Sequence, residues 1–285
     1  MPPRDNPTAR QARLGAELRR LRERAGKTAR EAAGLLSTDQ AKISNIEAGR
    51  IGVSEERIRR LAVFYMCDDN ALIEALCSIA REHRGQFWWD EYRGILAPGF
   101  LDIAEMEHHA VSLKSVQTVT IPGLFQTAEY ARALFGGAVH LKLPADEIEA
   151  RVEHRIRRQR IMDADQPPPI EATIHEAALR MRFGGRKVAR AQLEHVIEIS
   201  RRPKATVRVI PFTSEDFIEV THPVLYAGAS VPQLDTVRID MPFGGRFLNS
   251  ETELERYREL IASTEQAALS PEESRQFIHH IARDL

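Results

Sequence analysis

At the N-terminal end of the chain the apolar positions recur at helical spacing in short blocks separated by polar punctuation. Leu14, Leu18, Leu21 and Ala25 fall at i, i+4, i+7 and i+11, one stripe of an amphipathic helix whose other faces carry Arg13, Arg19, Arg20, Arg22 and Arg24. Gly26 ends that helix. Thr28 followed by Glu31 is a capping box, which opens a short second helix with Ala32, Ala33 and Leu36 inward, and Ser37-Thr38 supply a turn. Asp39 is a good N-cap for a third helix, in which Ile43 and Ile46 face the core and Gln40, Ala41, Ser44 and Asn45 stay outward or near its start. Gly49-Arg50 follow, and Ser54 caps a fourth helix whose Ile58, Leu61, Ala62 and Tyr65 close a small core. The spacing predicts a compact bundle of about sixty residues.

The pattern then changes. Asp68 to His83 reads as a further helix, with Leu72, Ile73, Leu76, Ile79 and Ala80 apolar, that either links two parts of the chain or serves in dimer contact. Both tryptophans, Trp88 and Trp89, fall in a Gly- and Pro-containing stretch that marks a boundary at about residues 84 to 100. They suit a core anchor better than a ligand pocket. Beyond it helical and alternating periods mix. Strands are predicted over Val111 to Ile121, Ile170 to Ile174, Thr206 to Ile210, 223 to 229, 235 to 240 and 246 to 248. Helices are predicted from Thr127 to Leu134, from Pro144 to Met162 along the stripe Ile148, Val152 and Ile156, as a pair over 176 to 201, and behind the caps Ser250…Glu253 and Ser270…Glu273. The expected architecture is an N-terminal all-α helix-turn-helix bundle (1–67), a helical linker and boundary (68–100), and a larger α+β domain (101–285).

Charge sharpens the division. The net charge of -1 hides fourteen Lys and Arg against eight Asp and Glu in residues 1 to 65, a surplus of six, which leaves 26 basic against 33 acidic residues in the rest. The basic end is the one suited to a polyanion. Without a run of eighteen apolar residues or the apolar stretch of a signal peptide, the sequence points to a cytoplasmic protein, where Cys67 and Cys77, ten apart and at no zinc-ligand spacing, are two reduced thiols.

On the third helix, Gln and Asn can pair with adenine through two hydrogen bonds and Ser serves either partner, so Gln40, Ser44 and Asn45, with Ala41 beside them, are the candidate base-reading set. The segments LGAELRRLRERAGKTAREAA and QAKISNIEAGR resemble the Xre/Cro-type helix-turn-helix of bacterial and phage regulators, IS-x-IE-x-G being the most specific piece. That resemblance implies binding to double-stranded DNA and a phosphate-contacting set of Arg19, Lys27, Thr28, Arg30, Lys42 and Arg50. Ala29 stands where the family usually has Gln, and Ser37 where it often has Gly.

From about residue 85 to the end, segments such as VTIPGLFQTAEYARAL, RVEHRIRRQRIM, IHEAALRMRFGG and ALSPEESRQFIHHIARDL resemble the C-terminal domain of unknown function of many actinobacterial regulators. The resemblance implies a regulator of differentiation or specialised metabolism, commonly encoded beside a small partner protein. FTSEDFIEVTHPVLY departs from it in lacking a Gly-rich turn before its strand.

Candidate chemistry changes this picture little. His108-His109 and His279-His280 are adjacent pairs that project to different sides of a helix, and His175-Glu176 lacks the second His of a zincin, so no metal is expected. There is no G-x-S-x-G, P-loop or dinucleotide fingerprint, and Gly184-Gly185 and Gly244-Gly245 read as turns. Neither a cofactor nor catalysis is expected: Glu176 in HEAAL resembles the carboxylate of ADP-ribosyl-transferring folds, but the sequence supplies the His and Tyr partners of such a site at no recognisable position. Gln126, Tyr130 and Arg132, together with Trp88, Trp89 and Glu176, are candidates for a ligand or partner site, with ordinary packing the favoured account. Arg151, Arg155, Arg157, Arg158 and Arg160 lie on one helix with Glu147, Glu149 and Glu153 at pairing distance, which predicts a solvated face rather than an extended DNA footprint. The leading expectation is a homodimeric DNA-binding regulator. The alternative is a protein-interaction module paired with a small partner in the manner of an antitoxin, and the third is an enzyme on a DNA-binding tether.

Overall fold

The computed structural model describes residues 7–82, 87–137, 143–216, 220–241 and 244–285. It divides into two compact units, Met1–Glu91 with Ala229–Asp235, and Tyr92–Gly228 with Thr236–Leu285.

Unit 1 is built from helices α1 (Ala9–Arg24), α2 (Ala29–Leu35), α3 (Gln40–Glu47), α4 (Glu55–Phe64) and α5 (Asn70–Arg81). Each is started by a side-chain oxygen accepting a free backbone N–H: Thr8 from Gln11, Thr28 from Glu31, Asp39 from Lys42, Ser54 from Arg57 and Asp69 from Leu72. Leu14, Leu18 and Leu21 of α1 meet Ile43 and Ile46 of α3 and Ile58 and Leu61 of α4 in one core. The expected linker helix belongs to this core, since Leu72, Leu76 and Ile79 of α5 are buried in it. His83, at the end of that expected helix, and residues 84–86 of the expected boundary lie outside the described residues. The segment Ala229–Asp235 completes the unit: Val231 and Leu234 are buried in its core, Gln233 donates to Asp69 over 2.8 Å, and the Gln233 carbonyl accepts from Arg13.

The contact between α1 and α3 is made backbone to backbone at two glycines. A Cβ on Gly15 would lie 2.6 Å from the Ile46 carbonyl oxygen, and one on Gly49, which has φ +72°, would lie 2.8 Å from the backbone of Gln11 and Ala12. Arg22 of α1 clamps the end of α3, donating to both carboxylate oxygens of Glu47 over 2.6 and 2.9 Å and to the Lys27 carbonyl over 2.9 Å. Beside that pair, burial raises the Tyr65 hydroxyl to about 12.

Unit 2 is an α+β domain on a six-stranded sheet of order β3-β2-β1-β4-β5-β6, with β1 Ser112–Gln117, β2 Ile170–His175, β3 Ala205–Ile210, β4 Val224–Gly228, β5 Thr236–Met241 and β6 Gly244–Leu248. β1, β2 and β3 pair in parallel, and β4, β5 and β6 extend the sheet antiparallel from β1. The helices are α6 (Pro98–His108), α7 (Ala128–Gly136), α8 (Ala145–Arg158), α9 (Glu176–Arg180), α10 (Arg186–Ile199), α11 (Glu251–Gln266) and α12 (Pro271–Asp284). Leu113, Ala172, Ile174 and Val207 of the sheet pack with Leu193 and Val196 of α10 and Ile278 and Ile281 of α12. On the other face Val116, Tyr226 and Val237 pack with Leu254 and Ile261 of α11. Residues 217–219 of the departing segment lie outside the described residues.

Three expectations are corrected here. The strand expected over Val111 to Ile121 is shorter, Ser112–Gln117, because the chain bends away at residues 118–120, where the Thr120 hydroxyl donates to Gln117 Oε1 over 3.2 Å, before the 3-10 turn at Gly123–Phe125. Gly244-Gly245 is no turn but the start of β6, facing Met241 and Asp240 of β5. The face of α8 expected to be solvated is partly internal. Glu147 does pair with Arg151 at 2.6 Å, but Glu149 is taken by Arg132 of α7, and Arg158 is buried in a two-bond pair with Glu107 of α6 at 2.5 and 2.7 Å. Pairing across helices outcompetes pairing along one.

Two outcomes follow. Gly15→Ala forces α1 and α3 apart and should cost about 1–3 kcal/mol of stability in urea unfolding, whereas Gly26→Ala, which meets nothing within 4 Å but has φ +66°, should show only the smaller cost of a left-handed alanine. His154, fully buried edge-on to Tyr92 and Phe100, is held down to about 3 by burial first and then by Arg158, Arg155 and Arg157. The folded chain keeps it neutral while the unfolded chain protonates it at 6.5, so its contribution is present above pH 6.5 and is lost as pH falls toward about 3, a loss on the order of a few kcal/mol. In acid unfolding monitored by tryptophan fluorescence, His154→Phe should flatten the decline over that window.

Candidate nucleic-acid interface

The candidate reading face is the part of α3 that the Gly15 and Gly49 contacts leave outward. With Ile43 and Ile46 buried, Gln40, Ala41 and Ser44 are exposed and Asn45 is half-buried. Ser44 donates from Oγ to the Gln40 carbonyl over 3.1 Å, and Asn45 donates from Nδ2 to the Ala41 carbonyl over 3.0 Å. Both side chains lie folded against their own helix, and single-bond rotations turn their polar groups outward. The turn before α3 is tight: Thr38 N–H donates to the Ala33 carbonyl over 2.9 Å and Ser37 sits at φ +50°, so the position that favours glycine is held by a serine in the left-handed region.

The proposed phosphate-contacting residues divide into two groups. Arg19 is exposed but pairs with Glu23 at 2.7 Å, Lys27 sits 5.0 Å over the Phe64 ring, and the Thr28 hydroxyl is engaged in its cap with Glu31. Arg30 and Arg50 are exposed, Lys42 is half-buried, and among the described residues none of these three is in an ion pair. A cleft of about 450 Å³ runs beside α3, lined by Asp39, Ala41, Lys42, Asn45, Ile51, Gly52 and Arg57. Arg57 was not anticipated. The signal was present, since the Ser54 cap places Arg57 in the first turn of α4, facing the same side as Lys42. Glu47, the acid of the IE-x-G segment, faces Arg22 rather than the reading side, so the motif's charge is architectural.

Of the six residues proposed for a ligand or partner site, Trp88 and Trp89 belong to unit 1 and Gln126, Tyr130, Arg132 and Glu176 to unit 2. Trp89 is buried, stacked on Phe87 at 4.5 Å and edge-on to Trp88 at 5.7 Å. Tyr130 and Gln126 do converge, on Ile121: Tyr130 Oη accepts its N–H over 3.3 Å and Gln126 Nε2 donates to its carbonyl over 2.7 Å. Burial raises the Tyr130 hydroxyl to about 12. Arg132 lies on the surface in its two-bond pair with Glu149 at 2.6 and 2.8 Å. Glu176 is buried, with one oxygen accepting from Arg180 over 2.6 Å and the other from the Phe212 N–H over 2.8 Å. Both of its oxygens serve the fold. Among the described residues no group of three His, Cys, Asp or Glu side chains could hold a metal ion, no helix is long and apolar enough to cross a membrane, and Cys67 and Cys77 are free thiols.

Comparison with known families matches both units. A helix-turn-helix domain family matches residues 13–76, a span that reaches into α5, and a domain of unknown function, DUF5753, matches residues 100–280. No curated protein and no solved structure matches the chain. The chain thus belongs to the DUF5753 family and carries that domain behind an N-terminal helix-turn-helix.

Proposed function

We propose that the protein is a sequence-specific transcription regulator of Xre type, acting on double-stranded DNA in the cytoplasm as a homodimer, with unit 2 binding and relaying a signal rather than catalysing a reaction. The observation that carries the reading is α3 itself: an eight-residue helix, capped by Asp39, with Gln40, Ala41, Ser44 and Asn45 outward and Arg30, Lys42, Arg50 and Arg57 around them. A helix of that size fills one major groove, where the polar side chains reach base edges while the cations neutralise phosphates. Two such helices related by a two-fold axis read half-sites about 34 Å apart, or a multiple of that. Control through unit 2 is supported by chain connectivity: Ala229–Asp235 belongs to unit 1, yet continues at its two ends into β4 and β5.

Selection from random duplexes should enrich one motif with two-fold symmetry. Gln40→Ala and Asn45→Ala should each weaken binding to it by about 1–3 kcal/mol and relax preference at one base pair, whereas Arg57→Gln should weaken binding to all sequences and lower its salt dependence. No enriched motif, together with unchanged binding in Gln40→Ala and Asn45→Ala, contradicts the reading.

A further inference from the structure

Inside unit 2 the sheet, α6, α7 and α8 enclose a cavity of about 800 Å³. That lies within the usual range for small-molecule sites, roughly 300–1,000 Å³. Its floor follows the sheet register across one row, Ala172, Ser115, Leu225 and Arg238 on neighbouring strands. Four guanidinium groups line it, Arg151, Arg155 and Arg158 at successive turns of α8 and Arg238 from β5. The side chains around them are largely apolar, and Phe100 and Phe135 form an aromatic wall: Arg151 lies 4.9 Å over Phe100 and Arg155 lies 4.4 Å over Phe135.

The charges do not balance. Arg158 is matched by Glu107, Arg238 by Asp240 at 2.9 Å and Arg151 by Glu147 at 2.6 Å. Among the described residues Arg155 has no carboxylate in contact and donates only to the neutral Gln126 Oε1, over 2.5 Å. The Nε atoms of Arg151, Arg155 and Arg238 are buried without a hydrogen-bond partner among the described residues. An uncompensated guanidinium with unused donors is costly to keep in a folded interior. Arg155 is held down to about 9, by burial first and then by repulsion from Arg158 and Arg238, against the attraction of Asp240 and Glu107. Arg238 is lowered by burial too. Gly245, opposite Asp240 on β6, leaves the space that Arg238 occupies: a Cβ there would come within 2.8 Å of its Nη2. The backbone of β6 thus makes room for the Arg238 guanidinium.

We propose that this cavity is a binding site for a small organic oxyanion, a phosphate or carboxylate on an apolar or aromatic body, with its charged group held by Arg155 and Arg238 and its body against Phe100 and Phe135. Guanidinium forks suit both oxyanions because each presents two coplanar donors. The aromatic wall and the volume favour an organic anion over a bare ion.

The test is isothermal titration of the full chain with 1-naphthyl phosphate, 1-naphthoate and 1-naphthol. At least one of the two anions should bind saturably at about millimolar or tighter, at least about tenfold more strongly than 1-naphthol, and the stronger anion identifies the headgroup. Arg155→Gln and Arg238→Gln should each weaken that binding at least about tenfold, while Arg132→Gln, on the surface outside the cavity, should leave it unchanged. Thermal unfolding without ligand gives a second readout: Arg155→Gln should unfold at the same or a higher temperature than the parent, as expected when a buried charge kept for a ligand is removed. Absence of saturable binding by either anion, equal binding of 1-naphthol, or undiminished anion binding in Arg155→Gln overturns the proposal.

Discussion

Gly15 and Gly49 let α1 and α3 touch through their backbones, and the placement of the outward side chains on the candidate reading face of α3 depends on that contact. A side chain at either position would push the two helices apart by an ångström or so, on the scale at which core packing resists expansion. The Arg22–Glu47 clamp then fixes rotation at the far end of α3, and the Asp39 cap fixes its start. A short helix has little stability of its own, so these three restraints are what hold α3 in one orientation. Gln40, Ser44 and Asn45 are therefore presented by a rigid support, with their mobility confined to side-chain rotation.

The two units handle charge in opposite ways. Unit 1 keeps Arg30, Lys42, Arg50 and Arg57 near the surface around α3, where a polyanion can replace their counterions. Unit 2 turns four arginines toward its cavity, pairs three of them with Glu107, Asp240 and Glu147, and among the described residues gives Arg155 no carboxylate. The chain joins these two regimes directly, because Arg238 lies three residues after Asp235, the last residue of the segment that completes the core of unit 1.

The local features were legible in the sequence. Thr28 with Glu31, Asp39, Ser54, Ser250 with Glu253 and Ser270 with Glu273 all cap the helices they announce, since a cap is an interaction over three residues. The apolar stripes that define α1, α3 and α4 are buried for the same reason, because period and burial are one pattern. What was not legible depends on distant partners. Periodicity counts Arg155 and Arg158 as polar and assigns them to solvent, whereas Glu107, 51 positions earlier than Arg158, makes an interior place for one of them. Gly244-Gly245 looks like a turn until Arg238 is seen to need its space. Glu47 belongs to the most specific motif of the chain, yet only its partner Arg22, 25 positions away, shows that it braces rather than reads. Of the candidate ligand-site residues, Gln126 alone reaches the arginine-lined cavity, through its bond to Arg155.

The account turns on α3 entering a major groove. Methylation interference on a duplex recovered by selection tests it most directly, because methylation at guanine N7 alters the major groove and methylation at adenine N3 the minor one. Binding should be blocked by guanine N7 methylation within two half-sites about 34 Å apart or a multiple of that. Interference confined to adenine N3, or none at either groove, would contradict it.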